Sequence, residues 1–258
     1  MALLDGLSVA FVESGWDQKA LIRRIVTSAT YRQASRRRPD VAEVDPGNRL
    51  LSWFPRRRLE GELIRDQALY AAGLLVERIG GPSARPYQPN GLWREVSIGG
   101  SSNTQVFKRD AGEGLYRRSL YTFWKRTSPS PQMATFDAPT REFCVVRRGV
   151  TNTPLQALVL WNDEQFVEAS RLLAQRDMNA AAMFRRCTGR EPTARERTIL
   201  DRAADRFMAG FAKAPQEAKK LLAIGESPLP KGHDPVKLAT MTMVANTILS
   251  LDATIVLN

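Results

Sequence analysis

The sequence predicts a mainly α-helical protein: a multi-helix domain with an irregular, loop-rich middle over about residues 80–150 and at most a small β element. Apolar residues recur at helical spacing on both sides of that middle. Helix start and stop signals bracket the same stretches: Asp17, Thr153-Pro154, the capping box Thr193-Ala194-Arg195-Glu196, Asp234-Pro235, and the closing glycines Gly15, Gly189 and Gly225. Residues 80–112 instead carry Gly80, Gly81, Pro82, Pro86, Pro89, Gly91, Gly99 and Gly100, which punctuate any regular element out of existence. At 258 residues the chain can bury a sizeable core and is read as a single domain, 1–258.

Residues 2–14 read as a helix with a broad apolar face, Leu3, Leu4, Leu7, Val9, Ala10, Phe11 and Val12. A second helix follows Asp17, with Leu21, Ile22, Ile25, Val26 and Ala29 on one side and Lys19, Arg23 and Arg24 outside. Arg36-Arg37-Arg38-Pro39 breaks this pair, Asp45-Pro46-Gly47 turns the chain, and 48–53 is expected as a short helix. A third helix over about 59–78 should bury Leu63, Ile64, Ala68, Ala71, Leu74 and Leu75, with Arg65 and Asp66 inside it and the carboxylate read as serving a salt bridge. Residues 80–112 should be an ordered surface segment pinned by Tyr87 and Trp93, or else a flexible loop. The serines and glycines at 97–102 suit an anion-cradling loop, but no Gly-Lys-Ser/Thr follows, so a nucleotide P-loop fails. A helix from 113 giving way to an extended end before Thr127 is expected next. Helices then follow at about 153–161, 163–175, 178–187 and 193–211, the last burying Ile199, Leu200, Ala203, Phe207 and Phe211. Another covers 215–224, and the final one, from Asp234, is lined by Leu238, Met241, Val244, Ala245, Ile248 and Leu249, a stripe that reads as core.

The composition narrows the chemistry. Thirty-eight Lys and Arg against 27 Asp and Glu give a net charge of +11, which draws a protein to polyanions. The arginines are scattered rather than striped and read first as surface cations. His233 is the sole histidine, which argues against a histidine-based zinc or haem site and against a Ser-His-Asp triad. Cys144 and Cys187 bond only if the fold brings them together, and without a Cys-x-x-Cys-His run no haem attaches covalently here. No metal and no cofactor is expected in this chain. The start lacks a signal-peptide pattern, being broken by Asp5 and Glu13, and no stretch approaches the length of a membrane span.

The densest polar constellation is FDAPTREFCVVRRGVTNTP, 136–154. Asp137, Arg141, Glu142, Arg147, Arg148, Asn152 and Thr153 gather ahead of a helix start, where anionic groups are favoured. Three uses fit them: a structural network in which arginines and carboxylates brace loops onto helices, an anion or saccharide site, or a carboxylate pair, Asp137 with Glu142, working on a glycosidic bond. The structural network is preferred, and no catalytic residue is assigned. A second candidate is a basic patch from two arginine triplets, Arg36, Arg37, Arg38 and Arg56, Arg57, Arg58, for which solvated connectors are the simpler reading and nucleic-acid binding the weaker one.

FDAPxRExCxxRR, TNTPLQALVLxND and FVEAxR resemble the uncharacterised C-terminal domain of large planctomycete-type proteins that also carry a planctomycete cytochrome-c-like domain. SGWDQKALIRRIVTSATYRQAS, NRLLSWFPRRRLEGELIRDQAL, GGPSARPYQPNGLWREV and LYRRSLYTFWKRTSPSPQMATFDAP agree with it. The resemblance implies an extracytoplasmic, multidomain setting, with haem only in a partner domain, and this chain looks like an N-terminally truncated copy. A chain that truly began at Met1 would stay in the cytoplasm. Together these expectations give a non-catalytic binding or assembly module with a cytochrome-c-like domain as partner. A hydrolase acting on an acidic polysaccharide is the alternative, and nucleic-acid binding through the arginine triplets the second.

Overall fold

The computed structural model describes residues 2–96 and 105–257, so the serine–glycine segment 97–102 lies outside the described residues. The chain gathers into two compact units, Met1–Arg57 with Val256–Asn258, and Arg58–Ile255. Helices dominate throughout, as the sequence predicts. Among the described residues the named strands are two short ones, β1 (Arg57–Arg58) and β2 (Val256–Leu257), paired in one sheet. No described helix is long and apolar enough to cross a membrane.

In the first unit, α1 (Ala2–Glu13) and α2 (Gln18–Val26) form the expected hairpin. The Asp17 carboxylate caps α2 by accepting from the Ala20 N–H at 3.0 Å. The triplet Arg36–Arg38 leads into α3 (Pro39–Val44), with Pro39 at its first turn. The short helix expected at 48–53 does not form. The Asp45 carboxylate accepts from the N–H groups of Arg49 (2.8 Å) and Leu50 (2.7 Å), and Asn48 Oδ1 accepts from Ser52 N–H at 2.8 Å. Side chains thus take the donors that a helix would direct to carbonyls, and Asn48 and Leu51 adopt positive φ. An apolar cleft of about 430 Å³, lined by Leu3, Leu7, Ile25, Tyr31, Trp53 and Phe54 among others, lies within this unit. No residue of α1, α2 or α3 is buried.

The second unit has a closed core. Its helices are α4 (Gly61–Ala72), α5 (Leu92–Glu95), α6 (Pro131–Thr135), α7 (Pro154–Asn162), α8 (Glu164–Asp177), α9 (Ala180–Thr188), α10 (Ala194–Lys213), α11 (Pro215–Leu222), α12 (Pro235–Leu249) and α13 (Asp252–Ile255). The pair α8–α12 forms the centre, with α4, α9, α10 and α11 around it. Phe166, Ala169, Leu173 and Ala174 of α8 join Leu238, Val244, Ala245 and Ile248 of α12, all buried. Asn246 of α12 donates to the Leu160 carbonyl near the end of α7 at 3.1 Å. A Cβ on Gly61 would sit 2.9 Å from that of Phe136, so only glycine lets α4 begin against this ring.

Three expectations are corrected here. The third helix stops at Ala72, because Gly73 (φ +76) caps it, and Leu63 is exposed rather than buried. Residues 113–127 do not form a helix. They make two 3-10 turns, Gly112–Tyr116 and Ser119–Tyr121, followed by extended backbone that bridges Ala84 at Thr122. On α10 only Leu200 is buried, and Ile199 is half exposed.

Candidate functional site

The motif-bearing stretch is fastened at several separate points. After α6 the chain turns at Asp137, which adopts φ +61. Its carboxylate accepts from Arg58 Nη2 at 2.5 Å, from the Thr151 N–H at 2.8 Å and from the Thr151 hydroxyl at 2.9 Å. The Arg58 guanidinium also lies over the Phe136 ring, 5.3 Å from its centroid. Gln156, buried in the first turn of α7, donates to the Thr135 carbonyl and the Thr151 hydroxyl, both at 3.0 Å. Its Oε1 accepts from the Thr153 N–H at 3.4 Å, so Thr153 and Gln156 close the start of α7. Charge-assisted bonds of this kind are the strong ones, and here they are spent on holding backbone.

Arg148 donates to Glu62 at 2.8 Å and reaches Glu60 at 3.1 Å. The hydrogen bond to Glu62 raises its pKa further above the ordinary arginine value. Arg141, at φ +65, stacks on Trp124 with 5.0 Å to the ring centroid, and the Trp124 indole N–H donates to the Thr140 carbonyl at 2.9 Å. Glu142, Arg147 and Asn152 are exposed. The acids and arginines of 136–153 therefore do not neutralise one another. Their partners are Arg58, Glu60, Glu62 and Trp124, all outside the stretch. Asp137 and Glu142 share no partner, and Cys144 and Cys187 are both free.

The arginine triplets are also taken apart. In the first unit Arg37 donates to the Ala42 carbonyl at 3.0 Å and lies over Trp53, and Arg38 approaches Asp40 at 3.5 Å. Arg36, Arg56 and Arg57 are exposed. Arg58 is no member of a free patch: its side chain is 10% exposed and bound to Asp137.

The salt bridge expected of Asp66 forms with Arg65 at 3.6 Å, but the sequence reading missed that three buried arginines donate to backbone carbonyls of irregular chain. Arg65 of α4, 1% exposed, donates to the carbonyls of Leu115 (2.7 Å) and Arg117 (2.9 Å), to Ser119 Oγ (3.1 Å) and to Gln165 Oε1 (2.5 Å). The Ser119 hydroxyl in turn donates to Asp66 at 2.6 Å. Burial pulls the Arg65 pKa down to about 10. Arg117 donates to the carbonyls of Pro82 (2.7 Å), Arg78 (3.1 Å) and Gly80, and stacks on Tyr121. Arg171 of α8 donates to the carbonyls of Ser227 (2.7 Å) and Pro228 (3.3 Å). Beside it Glu168, fully buried, accepts from the Tyr116 hydroxyl at 2.9 Å and the Ser227 N–H at 2.6 Å. Gly225 permits this approach: at φ +91, a Cβ there would lie 2.4 Å from Glu168 Cδ. The signal was present in LIRDQAL, LYRRSLY and FVEASR, where charges interrupt apolar runs.

Burial sets the remaining titrations. Asp163, which caps α8 through the Gln165 N–H at 3.0 Å, is pushed up to about 6 by burial. Burial likewise lifts the Tyr87 and Tyr116 hydroxyls above their ordinary range and pushes the Cys187 thiol up to about 12, which leaves it inert at neutral pH. No group of three or more His, Cys, Asp or Glu able to hold a metal occurs among the described residues.

Beside the exposed Glu142, Arg147 and Asn152, the stretch and the start of α7 offer apolar groups to solvent. Phe143 is 70% exposed, Val146 completely so, and Val150, Leu155 and Leu158 are all more than half exposed, with Arg141 and Arg147 beside them.

A family model described as PSD1, protein of unknown function (DUF1553), matches residues 1–204. Neither the curated proteins nor the solved structures contain a match to the chain.

Proposed function

Since the chain belongs to the PSD1 family of unknown function, we propose that it is a non-catalytic docking module that binds a partner protein through residues 141–158. The observation that carries this reading is the contrast within one motif. Asp137 and Arg148 are consumed by Arg58, Thr151, Glu60 and Glu62, while Phe143, Val146 and Val150 face water. A loop held rigidly at both ends presents its apolar side chains with little ordering left to lose on binding.

The partner is an acidic face of a cytochrome-c-like domain. The net charge of +11 and the exposed Arg147 favour an acidic counterpart, and the resemblance names the domain type. Haem resides in that partner, and the assembly works outside the cytoplasm. The test is surface plasmon resonance with a purified cytochrome-c-like domain of acidic surface. Saturable binding is expected, and Phe143→Ser with Val146→Asp should weaken it at least about tenfold while circular dichroism stays unchanged. Binding that ignores these substitutions would overturn the reading. So would turnover of an acidic polysaccharide that Glu142→Gln abolishes without unfolding the chain.

A further inference from the structure

The first unit presents a second surface, with a different chemistry. Helix α1 is apolar nearly all round, yet none of its residues is buried, and a helix of that kind is normally covered. Leu7, Ala10 and Phe11 are half-buried on one side. On the other, Val9 and Val12 are 56% and 52% exposed, and Asp5 and Glu13 lie on the same side by helical spacing. Helix α2 has the matching arrangement: Ile22 and Val26 are 58% and 38% exposed, with Lys19 and Arg23 beside them. The charges segregate completely. Within its bounds α1 carries two acids and no base, and α2 carries Lys19, Arg23 and Arg24 and no acid. None of these five side chains has an ion-pair partner among the described residues.

We propose that this unit pairs with the same unit of a second copy of the chain. The acidic valine stripe of α1 lies on the basic isoleucine–valine stripe of the other copy's α2, and the reverse, giving a four-helix arrangement. Two complementary stripes on one hairpin are what a two-fold interface requires, because each contact then occurs twice. A hairpin of this size cannot bury its own apolar faces, and doubling it supplies the missing layer. Asp5 and Glu13 meet Lys19 and Arg23 across the interface, whereas pairing like stripes would set acid against acid and base against base. A second copy therefore fits where a uniformly charged partner does not.

Sedimentation of the full chain tests this. The intact protein is expected to run at twice the 28.8 kDa chain mass at micromolar concentration. Lys19→Glu with Arg23→Glu, and separately Asp5→Lys with Glu13→Lys, should each raise the dimer dissociation constant by about tenfold or more, since each sets like charges together. These positions are exposed, so circular dichroism should not change. Mixing the two double variants should restore a dimer of one chain of each, because both stripes are complementary again. A wild-type chain that stays monomeric up to about 100 μM would overturn the proposal, as would dimers indifferent to both charge reversals or reversed variants that fail to pair on mixing.

Discussion

Helices α8 and α12 meet through the buried apolar groups of Phe166, Ala169 and Leu173 on one side and Val244, Ala245 and Ile248 on the other. The described part of the irregular middle, 74–96 and 105–128, in the same compact unit, is held differently. It has little ladder to satisfy its carbonyls, so Arg65 and Arg117 reach in and collect those of 78, 80, 82, 115 and 117. The difference teaches where the fold spends its charge. A guanidinium has five donors in a fixed fork and stays charged when buried, so one side chain replaces several backbone bonds that a helix would make locally. Apolar packing tolerates small losses of volume; a multi-donor bracket does not degrade gradually.

The largest effect should come from cutting a bracket. Arg65→Met leaves the Arg117 carbonyl and Gln165 Oε1 without their donor, takes one of two donors from the Leu115 carbonyl and breaks the 3.6 Å ion pair with Asp66, and is expected to cost about 3–5 kcal/mol in urea denaturation. Arg65→Lys should recover only part of that, because an ammonium cannot span Leu115, Arg117 and Gln165 together. Full recovery by lysine would break the comparison, since it would make charge rather than fork geometry the cause. Leu173→Ala comes next, at about 2–5 kcal/mol from lost burial and the cavity left behind.

A smaller effect separates the regions by pH. Asp163 lies at the junction of the two, capping α8 while Gln132 donates to it at 3.0 Å. Its folded pKa, about 6, lies above the ordinary value of 3.8, so the native state holds its proton more tightly than the unfolded chain does. This group's contribution should therefore raise stability as pH falls from 7 through 6 toward 4, by about 2 kcal/mol, and Asp163→Asn should remove that slope while keeping the cap. Glu196, held down at about 2 by Arg190, acts in the opposite sense: its contribution is present above the ordinary glutamate value of 4.5 and is lost as pH falls from there to 2. Denaturation midpoints measured across pH 2 to 8 in Asp163→Asn and in Glu196→Gln distinguish these signs. The smallest effect belongs to the exposed loop, where Val146→Ser should change stability by less than about 0.5 kcal/mol, as calorimetry would read it.

Most of the helical frame was legible because its signals are local. Asp17, Thr193, Asp234 and Gly189 each act within one turn, and each sits at a helix end as expected. The short helix over 48–53 was misread because Asp45 and Asn48 offer the backbone a nearer partner, a competition that periodicity does not register. The charged residues of the candidate stretch are plain in the sequence, but the partners of Asp137 and Arg148, namely Arg58, Glu60 and Glu62, lie far upstream in it. Arginine as a surface cation was the costliest assumption. Arg65 finds Leu115 fifty residues away, and nothing in spacing announces that a charge inside an apolar run will bond to loop carbonyls.

Native-state hydrogen exchange on Arg65→Met tests the bracket most directly. The amides of Val76, Ala84 and Phe123, which donate to Tyr116, Tyr121 and Ala84 in turn, should lose protection, while those of α8 and α12 keep theirs. Protection that falls equally in both regions, or in neither, would contradict the account.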